Sequence, residues 1–136
     1  MCGGVYYSIN DGDVRFYFPN PKARLPVRMR SGGTQLLGWG RRPDQTGKLP
    51  LGGWARLDGI YEGRWDRWLP IPVKVPVKSF MEQDIEGHSH WYDLTKGQWI
   101  QGLVARYRHE RRVYVVTIEP QLADAVFGRW PCIMSG

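Results

Sequence analysis

Breakers recur so closely along this chain that short strands are almost the only regular elements it can build. Seventeen glycines and ten prolines are spread over 136 residues, and most sit in clusters that mark turns. Asn10-Asp11-Gly12-Asp13 separates two β-rich runs, residues 5–9 and 14–18, and predicts a hairpin. Pro19-Asn20-Pro21 then stops regular structure. Residues 24–30 alternate apolar and basic side chains, the pattern of a half-buried strand with a positive outer face. The turn at 31–34 leads into a partner at 35–40, and 41–53 reads as a polar loop whose Arg41, Arg42 and Lys48 face solvent. Further strands are expected at 73–81, 90–94, 99–105 and 129–134, with 111–118 the clearest. Two segments break the β pattern. Leu57, Tyr61, Trp65 and Trp68 fall at helix-like intervals and predict a helix within 54–69, although Gly59 and Gly63 weaken it. Pro120 suits the first turn of a second helix over 121–127. The expected class is α+β: one domain over residues 1–136, mainly antiparallel β, with two or three short helices.

Composition narrows the function. Hydrophobic residues make up 42%, with seven Trp and seven Tyr, enough for a packed core. No apolar run approaches the roughly 20 residues of a membrane-spanning helix, and no signal-peptide core follows Met1. Cys2 and Cys132 are the only cysteines, so a disulfide framework is excluded and a reduced, cytoplasmic setting is expected. A net charge of +6 and interleaved Arg, Trp and Tyr favour a polyanionic partner, nucleic acid first.

The chemistry-bearing stretch is Met1-Cys2-Gly3-Gly4. Removal of Met1 would leave an α-amine and a thiol on adjacent carbons of Cys2, with ordinary pKa values of about 8 and 8.5, so both are partly nucleophilic near neutrality. Such a 1,2-aminothiol captures aldehydes as an imine and closes through sulfur to a thiazolidine. A Cys at position two also occurs by chance, and these four residues alone do not decide. Gly38-Trp39-Gly40 lacks the third glycine and helix start of a phosphate loop and reads as a turn. His88 and His90 lie near Asp84, Glu86 and Asp93 without metal-ligand spacing, so they read as surface loop residues and no metal or other cofactor is implied. A thiol–imidazole–carboxyl group could combine Cys2 with His88, His90 or His109 and with Glu82. Glu82 itself reads as a solvated strand end, and 106–112 as a solvated basic hairpin tip.

Taken in order, several motifs resemble the SOS-response-associated peptidase (SRAP) family, which shields abasic sites in single-stranded DNA. They are Met1-Cys2-Gly3; Phe18-Pro19-Asn20-Pro21 with Leu25-Pro26-Val27; Leu37-Gly38-Trp39-Gly40; Trp54-Ala55-Arg56-Leu57-Asp58; Ser79-Phe80-Met81-Glu82; and Val115-Val116-Thr117 with Phe127-Gly128-Arg129-Trp130-Pro131. The resemblance implies a short, diverged, phage-related member with a twisted-sheet or barrel fold. It implies covalent capture of an abasic site by Cys2 after loss of Met1, and Glu82 opening the sugar ring and shuttling protons. It implies phosphate contacts from Arg56 and Arg129, and base contacts from Trp39, Trp54 and Trp130. A monomer acting on the nucleoid in a bacterial cytoplasm follows from the same likeness. Three family positions depart: arginine is replaced by Gly4, asparagine by Trp54 and histidine by Phe127. Those departures keep open a descendant that only binds single-stranded DNA, and the family's earlier name keeps open a thiol autopeptidase.

Overall fold

The computed structural model describes residues 3–120 and 127–136. Its strands are β1 (Gly3–Ile9), β2 (Gly12–Tyr17), β3 (Arg24–Arg28), β4 (Thr34–Gly38), β5 (Trp54–Arg56), β6 (Ile71–Val75), β7 (Ser79–Gln83), β8 (Ser89–Asp93), β9 (Gln98–Tyr107), β10 (Glu110–Ile118), β11 (Trp130–Pro131) and β12 (Ile133–Ser135). One five-residue helix, α1 (Leu57–Tyr61), and a single 3-10 turn at Asp66–Trp68 are the only helical pieces among the described residues. The protein is therefore mainly β rather than α+β. No helix among the described residues is long and apolar enough to cross a membrane.

A small antiparallel sheet has the order β2-β1-β7-β8, and a larger mixed sheet runs β11-β10-β9-β6-β3-β4. In the larger sheet β12 adds to β9, and β5 runs parallel to β10. The hairpin predicted from Asn10-Asp11 is present: both residues take positive φ, 50° and 63°, and Ile9 pairs directly with Gly12. That is the two-residue turn whose twist matches its strands, and Asn and Asp tolerate it better than most residues.

The main core lies where the sheets meet. Val5, Tyr7 and Phe80 of the small sheet pack in one cluster with Leu25, Val27, Val75, Ile100, Val113 and Val115 of the large one. A second cluster, with Leu103, Ala105, Tyr114 and Val116, lies on the opposite face of β9 and β10. Leu57, Ile60, Trp65 and Trp68 cover that cluster. Burial on both faces explains why residues 113–116 read as an unbroken apolar run instead of alternating.

Three expectations change. The 54–69 helix reduces to α1 because Trp54–Arg56 is extended along β10 and Gly63 turns the chain at φ 83°. Tyr61, counted in the helical stripe, is 82% exposed. The single strand at 73–81 is two strands in different sheets, with Pro76 at the crossover. The last strand also splits, but within the large sheet, β11 pairing with β10 and β12 with β9. Of the second helix, expected over 121–127, residues 121–126 lie outside the described residues, and Phe127 is buried.

Arg42 departs furthest from its expected role. Its side chain is buried instead of solvated, donating from Nε to the Phe18 carbonyl at 2.7 Å and from Nη1 to the Trp39 carbonyl at 2.6 Å. The guanidinium also lies 4.0 Å over the Phe18 ring. Burial, reinforced by the charge of Arg112, pulls its pKa down to about 10, so it remains a cation at neutral pH. Removing it strands two buried carbonyls. Arg42→Ala and Arg42→Met should each lower the unfolding free energy by about 2–4 kcal/mol, read as a shifted urea midpoint; a loss confined to Arg42→Ala would mean that only the packing of the stem matters.

Candidate functional site

The small sheet brings Gly3, Glu82 and His90 into one cross-strand row, since Gly3 pairs with Glu82 and Glu82 with His90. Residues in such a row point to the same face, here the inward face that carries Val5 and Phe80 one step along. Glu82 thus ends a line of core side chains and is 5% exposed. The expected solvated strand end is a buried carboxyl.

Its partner comes from the other sheet. Arg129, just before β11, places Nε 3.4 Å from Glu82 Oε1, and its guanidinium carbon lies 3.3 Å over the Trp54 ring. Trp54 packs in turn against Phe18 at 4.8 Å and Trp39 at 5.6 Å between ring centroids. Desolvation pushes the Glu82 pKa up to about 7, and Arg129 opposes it without cancelling it. A carboxyl poised there is populated as acid and as base at neutral pH, as proton transfer in either direction requires.

Gly3 is pinned beside this group. Its carbonyl accepts from Phe18 N–H at 2.8 Å, and a Cβ on it would stand 2.7 Å from Trp54 Cζ2 and 3.4 Å from Arg129 Nη2. Only glycine lets the backbone come so near the indole. Cys2 lies outside the described residues.

The remaining expected site residues divide. Arg56 lines an open cleft of about 580 Å³ with Trp54, Asp58, Tyr61, Glu119 and Arg129. It is exposed and bonded to Asp58 at 2.8 Å, a surface pair weak enough for a phosphate to compete with. Trp130 is half-buried among Phe80, Tyr92 and Phe127. Trp39 is 1% exposed and donates its indole N–H to the Gly53 carbonyl at 2.9 Å, so it packs the core and offers no face to a base. Beneath Glu82 a cavity of about 10 Å³ is bounded by Gly3, Trp39, Trp54 and Ile100, too tight to hold a ligand.

One pairing that the sequence left undecided and one cluster that it did not reveal stand out. His90 Nε2 stands 2.8 Å from Asp84 Oδ2, and that bond holds the Asp84 carboxyl down at about 2. Asp84 is therefore ionised and only accepts, so Nε2 carries the proton. The same imidazole meets the Phe127 ring edge-on at 5.4 Å. On the outer face of the small sheet, Arg15 lies over the rings of Tyr6 and Trp91, and Tyr17 packs against Trp91. The two-residue period of β1, β2 and β8 was the available signal for that cluster. Among the described residues no group of three His, Cys, Asp or Glu could hold a metal ion. Compared with protein-family models, curated proteins and solved structures, the chain finds no match.

A raised carboxyl pKa has a definite sign in stability. Between its ordinary 4.5 and about 7 the unfolded chain releases the Glu82 proton while the folded chain keeps it. Stability from this group is thus full below pH 4.5 and falls as pH rises to about 7, by roughly 3 kcal/mol. Glu82→Gln should remove that component: the difference in urea stability between the two proteins should widen in favour of the variant from pH 4.5 to 7.5, and parallel curves would refute the buried assignment. Gly3→Ala should displace Trp54 and cost about 1–3 kcal/mol, with an altered near-UV aromatic circular dichroism band as its signature.

Proposed function

We propose that this protein captures abasic sites in single-stranded DNA covalently, through an N-terminal Cys2 exposed by loss of Met1. The observation that carries the reading is the direct pairing of Gly3 with Glu82, which keeps the residue after Cys2 beside a buried carboxyl of pKa about 7. The motif resemblance to the SRAP family supplies the substrate class, and the net charge of +6 agrees with a polyanionic partner.

The chemistry balances with the groups that the chain supplies. Glu82 as carboxylate takes the anomeric hydroxyl proton of the closed sugar and, as acid, returns one to the ring oxygen, freeing the aldehyde. The Cys2 amine adds to that aldehyde, and protonation of the carbinolamine hydroxyl expels one water to leave the imine. The thiol sulfur then adds to the imine carbon while its proton passes to nitrogen, closing the thiazolidine. Arg129 keeps Glu82 from drifting to a permanently neutral state, and Arg56 with Arg129 provides cationic contacts along the cleft. Trp54 stands where the family carries an asparagine, and its role here is to seat Arg129. Phe127 cannot move a proton; the neighbouring His90 imidazole, held by Asp84, lies on that flank.

A denaturing gel tests this reading. Protein whose mass confirms Met1 removal is incubated with a single-stranded oligonucleotide carrying one abasic site, beside undamaged DNA. A shifted band should form with the abasic strand alone, vanish in Cys2→Ala, and form at least about 100-fold more slowly in Glu82→Gln. Processed protein that binds the strand but gives no band would leave a non-covalent DNA-binding protein in place of the sensor.

A further inference from the structure

One surface groove lies away from Glu82, and its lining is chemically one-sided. It encloses about 680 Å³ between β3, β6 and the start of β9. Arg28 pairs with Lys74 and Lys74 with Gln101, so these three stand in one row across adjacent strands, about 5 Å apart in sequence of strands. Arg30 lies just beyond in the turn, and the indole of Trp99 lies under Lys74, whose ammonium is 4.1 Å from the ring centroid. Arg28, Arg30 and Lys74 are exposed, and no acidic side chain lines the groove.

Strand alternation fixes which face this is. Ile100 and Val75 point into the core, and Ile100 bounds the cavity beneath Glu82. Their neighbours Trp99, Gln101 and Lys74 point the other way. The groove is on the reverse side of the large sheet from the candidate site.

Three exposed cations with no acidic side chain in the lining favour a polyanion, and a half-buried indole in their midst favours one that carries flat rings. Lys74 shields the ring only through a weak exposed contact, and a phosphate that draws the ammonium aside opens the indole to a base. An acidic peptide would satisfy the charges and leave Trp99 unused. We infer that the groove of Arg28, Arg30, Lys74 and Trp99 is a second, non-covalent binding surface for single-stranded nucleic acid, indifferent to base damage. It stands on its own residues and does not require the covalent chemistry proposed above.

The test uses the full chain and undamaged strands. Binding of fluorescent (dT)12 is followed by anisotropy from 25 to 200 mM salt for the wild type, Arg28→Gln/Arg30→Gln/Lys74→Gln, Trp99→Leu and Arg56→Gln. The triple variant changes only exposed side chains and should bind at least tenfold more weakly at 50 mM salt. Its slope of log affinity against log salt should fall by up to about 2, at roughly 0.7 per phosphate contact. Trp99→Leu should lose about tenfold with little change of slope, as lost stacking requires. Both should keep the wild-type rate of adduct formation with a short abasic oligonucleotide, if the wild type forms one. Unchanged (dT)12 affinity in the triple variant would overturn the inference, whatever the adduct assay gives. So would poly-glutamate displacing (dT)12 at equal charge concentration, because the indole would then contribute nothing. Loss confined to Arg56→Gln would assign strand binding to the cleft beside Glu82 and remove the groove.

Discussion

The ion pair of Glu82 and Arg129, laid over the indole of Trp54, is the contact on which the arrangement of this protein turns. Glu82 belongs to the small sheet, while Trp54 and Arg129 belong to the edge of the large one. The pair therefore clamps the two layers at the end where the chain enters β1. Buried ion pairs seldom stabilise a fold more than apolar residues of the same size would. Here desolvation outweighs the attraction of Arg129, since the carboxyl pKa rises. An arrangement that costs stability, yet joins residues of two sheets over an aromatic stack, has the pattern of a functional site more than of a brace.

Much of the strand content was legible, and the reason is local. Turn residues with distinct backbone preferences, such as Asn10-Asp11, and the apolar run of β10 act within a few residues of themselves. What was illegible depends on distant partners. Trp54 and its neighbours have helical spacing, but β10 offers them an open edge, and three residues of parallel pairing prevail over a segment carrying two glycines. Arg42 looks like any polar loop residue until Phe18 and Trp39 present carbonyls to it from 24 and 3 positions away. Of the candidate site, the sequence named Glu82, Arg129 and Trp54 through motif resemblance, yet their mutual contact and the burial of Glu82 became visible only when the two sheets closed. The motif tryptophans look alike in sequence and differ in the fold: Trp39 is sealed, whereas Trp54 keeps one face for Arg129.

The departures from the SRAP pattern gain a physical sense from the packing. An asparagine in place of Trp54 could not supply the π-face on which Arg129 rests, nor the area that packs Phe18. The indole in turn sits so close above Gly3 that a Cβ at residue 3 would have to displace it. Phe127 completes an aromatic cluster with Tyr92 and Trp130 and presses on His90, which Asp84 holds in one tautomer. Hydrophobic contacts thus position the groups around Glu82 and leave it few competing hydrogen bonds.

That exchange has a consequence for proton traffic. With an apolar surround, the electrostatic influences on Glu82 reduce to burial, which raises its pKa, and Arg129, which lowers it. Anything that draws the guanidinium outward, such as a phosphate in the cleft, weakens the opposing influence and drives the carboxyl toward its acid form. If the protein binds DNA as proposed, strand binding and proton donation would be coupled through one side chain: a phosphate that takes the guanidinium would also favour the acid form of Glu82, and its release would return the carboxyl to its mixture of acid and base.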